Sequence, residues 1–77
     1  MREKLLELLE DVRPDVEFEK EKKLIDDGIL DSFDILTIVQ EMNDTFDVEI
    51  DTGDLEPDNF NTIEAMIELI TKLQEEG

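Results

Sequence analysis

The stretch Asp27-Gly28-Ile29-Leu30-Asp31-Ser32-Phe33-Asp34-Ile35-Leu36 sets a serine hydroxyl between two carboxylates at what reads as a helix start. A serine works as a nucleophile when a base stands within hydrogen-bond reach of it and a third group orients that base. The chain contains neither His nor Cys. The imidazole base, the thiolate nucleophile, the disulfide and the usual zinc ligands are therefore excluded by inventory. The bases that remain are carboxylates and lysines, none of them specifically placed by its spacing from Ser32. With 24 acidic residues in 77, carboxylate pairs at any spacing arise by chance, and so short a chain has little room for a substrate cleft. The expectation is a protein that is not an enzyme and has no catalytic residue. An exposed serine at a rigid helix start can instead receive a group from another protein's active site.

A second stretch with chemical promise is Asp47-Val48-Glu49-Ile50-Asp51-Thr52-Gly53-Asp54-Leu55-Glu56-Pro57-Asp58, where acidic residues recur at alternate positions as in a calcium loop. The register fails. The turn glycine falls one place late at Gly53, Leu55 takes a ligand position, and Asp58 closes the loop where a bidentate Glu is needed. No metal site is assigned.

These residues need elements to position them. Leu5, Leu8, Leu9 and Val12 recur at i, i+3, i+4 and i+7, with Leu6 widening the stripe, so a helix is expected over residues 2 to 12, stopped by Pro14. A long polar connection follows, with Val16, Phe18, Leu24, Ile25, Ile29 and Leu30 as scattered apolar anchors; loops of that length are usually functional or pinned to a core. Asp31 as N-cap and Asp34 three residues on form a capping box that opens a helix from Ser32 to about Phe46. At 100° per residue, Ile35, Ile38, Val39, Met42 and Phe46 share its core face. Phe33, Leu36, Thr37, Gln40 and Asp44 share the opposite face, which thus opens with two large apolar side chains beside the serine.

Beyond it, Val48 and Ile50 alternate like a short extended segment, and at most one helical turn fits around Glu56 to Phe60. The last helix is expected to have Asn61 as N-cap and Glu64 as its capping-box partner, with Ile63, Met66, Ile67, Ile70 and Leu73 on one face. The fold class is all-α, a small three- to four-helix up-and-down bundle with a long first loop, in one domain spanning residues 1–77.

Composition narrows the partners. A formal net charge of −17, from 24 acidic against 7 basic residues, repels phosphate backbones and anionic lipid and attracts basic protein surfaces, so no nucleic acid is expected. No stretch approaches the roughly 20 apolar residues of a membrane span, and the N-terminus lacks an apolar leader core, so a cytoplasmic monomer without membrane insertion is expected.

Residues 24 to 50, "LIDDGILDSFDILTIVQEMNDTFDVEI", resemble the core of the acyl and peptidyl carrier proteins, whose signature is a Gly, two residues, then Asp-Ser-Leu opening the second helix. Ile38, Met42 and Phe46 fall at the family's buried positions, and Phe46 to Ile50 resembles its usual continuation. The resemblance covers essentially the whole chain. It implies that Ser32 carries 4'-phosphopantetheine, transferred from coenzyme A by a phosphopantetheinyl transferase, and that the arm's thiol supplies the sulfur the chain lacks. It implies that Asp31 flanks the site, and that Phe33, Asp34, Leu36, Thr37 and Gln40 form the face presented to partner enzymes. Those partners would be an adenylate-forming ligase and acyltransferase or synthase enzymes.

Phe33 stands where the family usually has Leu, and Thr37 and Gln40 stand where fatty-acid carriers are typically acidic and apolar. The run from Phe46 to Phe60-Asn61-Thr62 is similar in length to that of D-alanyl carrier proteins. A stand-alone carrier of the D-alanyl or a related type is therefore favoured over a housekeeping fatty-acid carrier. The alternative of another class is an acidic interaction module in which Ser32 merely starts a helix.

Overall fold

The computed structural model describes residues 1–76. Its helices run α1 Arg2–Val12, α2 Ser32–Phe46, a single 3-10 turn Thr52–Asp54, α3 Pro57–Phe60 and α4 Ile63–Glu76. The all-helical bundle expected from periodicity is what the chain forms, with α1 packed against both α2 and α4, and α3 against α4.

The apolar stripes meet in one core. Leu5, Leu8 and Leu9 of α1, Ile38, Val39 and Met42 of α2, and Ile63, Met66, Leu69 and Ile70 of α4 are buried. Burial of such side chains stabilises by about 1.5–3 kcal/mol each and dominates the fold's favourable side. In α4 the stripe differs from the sequence reading. Leu69 is buried while Ile67, on the opposite edge of the stripe, is only partly buried, because α1 and α3 pack against the helix on the Leu69 side. Leu73, in the last turn, is partly buried where it borders an open hollow with Asp47, Val48 and Glu49.

The loop between α1 and α2 is pinned, as its apolar anchors suggested: Phe18, Leu24 and Leu30 are buried in the same core. It turns at Gly28, whose amide donates to the Ile25 carbonyl at 3.0 Å. Gly28 has φ of 72°, a left-handed conformation in which a Cβ would be strained.

The start of α4 corrects the expected cap. Thr62, not Asn61, holds the helix end: its Oγ1 accepts from the Ala65 amide at 3.0 Å. Asn61 is drawn away by the first loop. Its Oδ1 accepts from the amides of Ile25 at 2.9 Å and Asp26 at 3.1 Å, and its carbonyl accepts from Leu24 at 3.1 Å.

After α2, Asp47 takes a left-handed conformation (φ 54°), the C-terminal role more often given to Gly. Asn43 then fastens the following segment: its carbonyl accepts from the Val48 amide at 3.3 Å and its Oδ1 from the Ile50 amide at 3.0 Å. Val48 and Ile50 turn into the core while Glu49 faces out, the alternation expected of an extended segment. The acidic run beyond it closes a second capping box, in which Asp51 Oδ1 accepts from the Asp54 amide and Asp54 Oδ2 from the Asp51 amide. Pro57 at the first position of α3 and a buried Phe60 complete the chain's path to α4.

Candidate functional site

Ser32 is the first residue of α2 and is exposed. The helix end does not need its hydroxyl, because the capping box is complete without it: Asp31 Oδ1 accepts from the Asp34 amide at 2.9 Å, and Asp34 Oδ2 accepts from the Asp31 amide at 3.4 Å. Both carboxylates that bracket the serine are thus used to fix the backbone that presents it. The amides of the first turn and the helix dipole favour an anionic group here.

Asp34 is not an outward-facing residue. Its carboxylate is only 16% exposed and is ion-paired to Arg13, the residue that ends α1. Arg13 Nη1 also donates to the Ile29 carbonyl at 3.1 Å, and its Nε and Nη2 fork onto the two Asp15 oxygens at 3.0 Å each. The fork holds the Asp15 carboxyl below the usual carboxylate range and raises the guanidinium further above its already high value. The resemblance implied Asp34 on the face presented to partners, and this cation on another element instead takes up its carboxylate.

The rest of the expected outer face is outward. Phe33 is 82% exposed and Leu36 53% exposed, and Thr37 and Gln40 are exposed as well. The Thr37 hydroxyl donates to the Phe33 carbonyl at 3.0 Å, so it is engaged with its own helix. Between Ser32 and Gln40, α2 contains a single carboxylate, that of Asp34, and Arg13 balances it. Phe33, Leu36, Thr37 and Gln40 therefore form an uncharged, partly apolar patch beside Ser32, flanked by the exposed Asp31 carboxylate. On the other side of the serine, Ile25, Leu30, Ile35 and Leu55 line an open groove that Asp31 and Ser32 border.

Arg13, Asn61 and the groove residues Ile25, Leu30, Ile35 and Leu55 had no assigned role at the site in the sequence reading. A signal for Arg13 was present, since it is among only 7 basic residues and sits at a helix end, one place before a proline. Among the described residues no group of three or more Asp or Glu side chains is arranged to hold a metal ion.

A 4'-phosphopantetheine arm suits these residues: an exposed hydroxyl on a fixed helix start, first-turn amides for a phosphodiester, and a groove with apolar walls beside it.

Comparison with known proteins agrees. The family model described as "Phosphopantetheine attachment site" matches residues 3–70. The chain is similar to the D-alanyl carrier protein of Streptococcus sanguinis, 25% identical over 75 residues that cover 96% of this chain and 95% of that protein. It is also similar to the D-alanyl carrier protein of Lactobacillus delbrueckii subsp. bulgaricus, 29% identical over 56 residues that cover 73% of this chain and 70% of that one. The family attaches 4'-phosphopantetheine covalently and is not catalytic in its own right. With that match spanning most of the chain, and with its helical bundle, the protein belongs to the phosphopantetheine-binding carrier family.

Proposed function

We propose that Ser32 is the attachment residue and that the protein carries an aminoacyl or acyl group of the D-alanyl or a related type, loaded by an adenylate-forming ligase. The observation that carries this is the exposed Ser32 hydroxyl at the first position of α2, with the capping work done by Asp31 and Asp34. In the modification step Ser32 Oγ bonds to the pantetheine-side phosphorus of coenzyme A, and the P–O bond to the other phosphate breaks. The adenosine bisphosphate leaves with that electron pair, and the hydroxyl proton passes to a base on the transferase. Once attached, the arm supplies a thiol on which cargo is held as a thioester. The chain's own share is address and position. Phe33 and Leu36 offer the partner enzymes an apolar contact, Thr37 and Gln40 border it, and Asp31 fixes the turn.

Similarity to two D-alanyl carrier proteins supports the subtype. The partners on this reading are a phosphopantetheinyl transferase, the ligase, and an acyltransferase or synthase that takes the cargo.

The test is to incubate the purified protein with coenzyme A, magnesium and a broad-specificity phosphopantetheinyl transferase, then with ATP, D-alanine and a D-alanyl-activating ligase. One phosphopantetheine should be added at Ser32 and none to Ser32→Ala, followed by a hydroxylamine-labile alanyl mass. An unchanged first mass would overturn the attachment. Loading by a fatty acid instead would overturn the subtype.

A further inference from the structure

Arg13 touches three parts of the chain at once. Its fork onto Asp15 fixes the guanidinium against the start of the first loop. Nη1 reaches the Ile29 carbonyl, three residues before Ser32, and the Asp34 carboxylate, two residues after it. The Asp34 oxygen that Arg13 contacts is Oδ2, the atom that also receives the Asp31 amide. One cation therefore ties the chain entering the serine to the first turn leaving it. The salt bridges of Arg2, Lys20 and Lys22 run instead to Glu17, Glu19 and Glu64 and do not reach α2.

We propose that Arg13 is a positioning residue for Ser32, holding the capping box through Asp34 so that the hydroxyl meets the modifying enzyme in one fixed orientation. This rests on the attachment reading above. Its physical basis is geometric. A serine attacking phosphorus in line must be placed to within a fraction of an ångström, and rate depends steeply on that placement. Asp31 and Asp34 alone fix the helix end locally. Arg13 couples that end to the end of α1, 21 residues away from Asp34, and so to the packed body of the bundle. By balancing Asp34 it also lowers the negative charge that an incoming pyrophosphate would meet beside the serine.

Lysine is not an equivalent here. Its single ammonium lacks the planar fork that spans Asp15 on one side and Asp34 on the other.

The experiment measures phosphopantetheine transfer from coenzyme A, as kcat and KM for the full-length apo-protein, in wild type, Arg13→Gln, Arg13→Lys, Asp34→Asn and the Arg13→Gln/Asp34→Asn pair. Asn at position 34 keeps an acceptor oxygen for the capping box but loses the ion pair. Arg13→Gln and Asp34→Asn should each lower kcat about three- to tenfold with KM unchanged. The pair should be no slower than either single variant, because one link is broken in all three. Arg13→Lys should recover only part of the loss, and Arg2→Gln should behave as wild type. Helical circular dichroism and the thermal midpoint are recorded for every variant. Should Arg13→Gln fail to fold, Asp34→Asn alone reads the same link.

A wild-type rate in Arg13→Gln or Asp34→Asn overturns the proposal. Additive losses in the pair, or a KM that rises, also overturn it, since they would mean that these side chains contact the transferase directly. If the wild type itself gains no mass, the attachment reading fails, which is a different result from a wild type that is modified as fast as its variants.

Discussion

Asn61 and Asp26 are joined in both directions, the Asp26 amide donating to Asn61 Oδ1 at 3.1 Å and Asn61 Nδ2 donating to Asp26 Oδ2 at 3.1 Å. The pair lies at the join of α3 and α4 on one side and in the first loop on the other. It holds Ile25, next to Asp26, where that side chain forms a wall of the groove beside Ser32.

Replacing Asn61 with Ala removes these side-chain hydrogen bonds while leaving the Thr62 cap of α4 in place. The groups released are largely open to water, so the loss of stability should be about 1–2 kcal/mol. Denaturant unfolding measures the loss, and hydrogen exchange should speed up most at the Ile25 and Asp26 amides. A uniform change across the chain would mean that Asn61 is not a local fastener.

Phe33→Ala removes an aromatic ring that is 82% exposed. Folding stability should change by no more than about 0.5 kcal/mol, the range for surface positions without special roles. Complex formation with a cognate ligase, measured by calorimetry, should weaken by about 1–2 kcal/mol, and by similar amounts at low and high salt, because the ring removed carries no charge. Strong salt dependence of the Phe33 contribution would point to acidic residues as the contact.

The pH dependence follows from two carboxyls. Asp15 is held below its ordinary 3.8 chiefly by the Arg13 hydrogen bonds. Glu64 is held below its ordinary 4.5 by its own backbone amide and then by the nearby charges of Lys22 and Arg2. A carboxyl that is more acidic folded than unfolded contributes stability above its unfolded value and loses that contribution as pH falls through the folded value. Asp15→Asn and Glu64→Gln should thus melt below wild type at about pH 6, with the gap closing in the acid range below those ordinary values. The remaining surface behaves oppositely to added ions. With a net charge of −17, the thermal midpoint of the wild type should rise as salt screens mutual repulsion.

The features legible in the sequence were the local ones. The start of α2 could be read from Asp31 and Asp34 because a capping box needs only residues three apart. The end of α1 could be read near Pro14 for a similar reason, since proline restrains the residue before it. The choice between Asn61 and Thr62 as cap could not, because both side chains are competent and the decision is made by amides 35 and 36 residues away in the first loop. The true surroundings of Asp34 were hidden in the same way. The three-residue spacing gave its capping role on α2, but its cationic partner lies at the end of α1. In α4, Leu69 and Ile67 flank the apolar stripe on opposite sides, and only the placement of α1 and α3 decides which is buried.

The second capping box, Asp51 and Asp54 around the 3-10 turn, gives the molecule an internal control. Thr52 there follows a capping Asp as Ser32 does, and it is exposed. Gly53 takes the place that Phe33 has beside the serine, and no arginine contact reaches Asp54 among the described residues. A transferase offered this chain is thus asked to tell two similarly framed hydroxyls apart. On the proposed attachment at Ser32, the features that would set it apart from Thr52 are its apolar neighbours and the cross-element cation, since both sites share the Asp-x-x-Asp spelling.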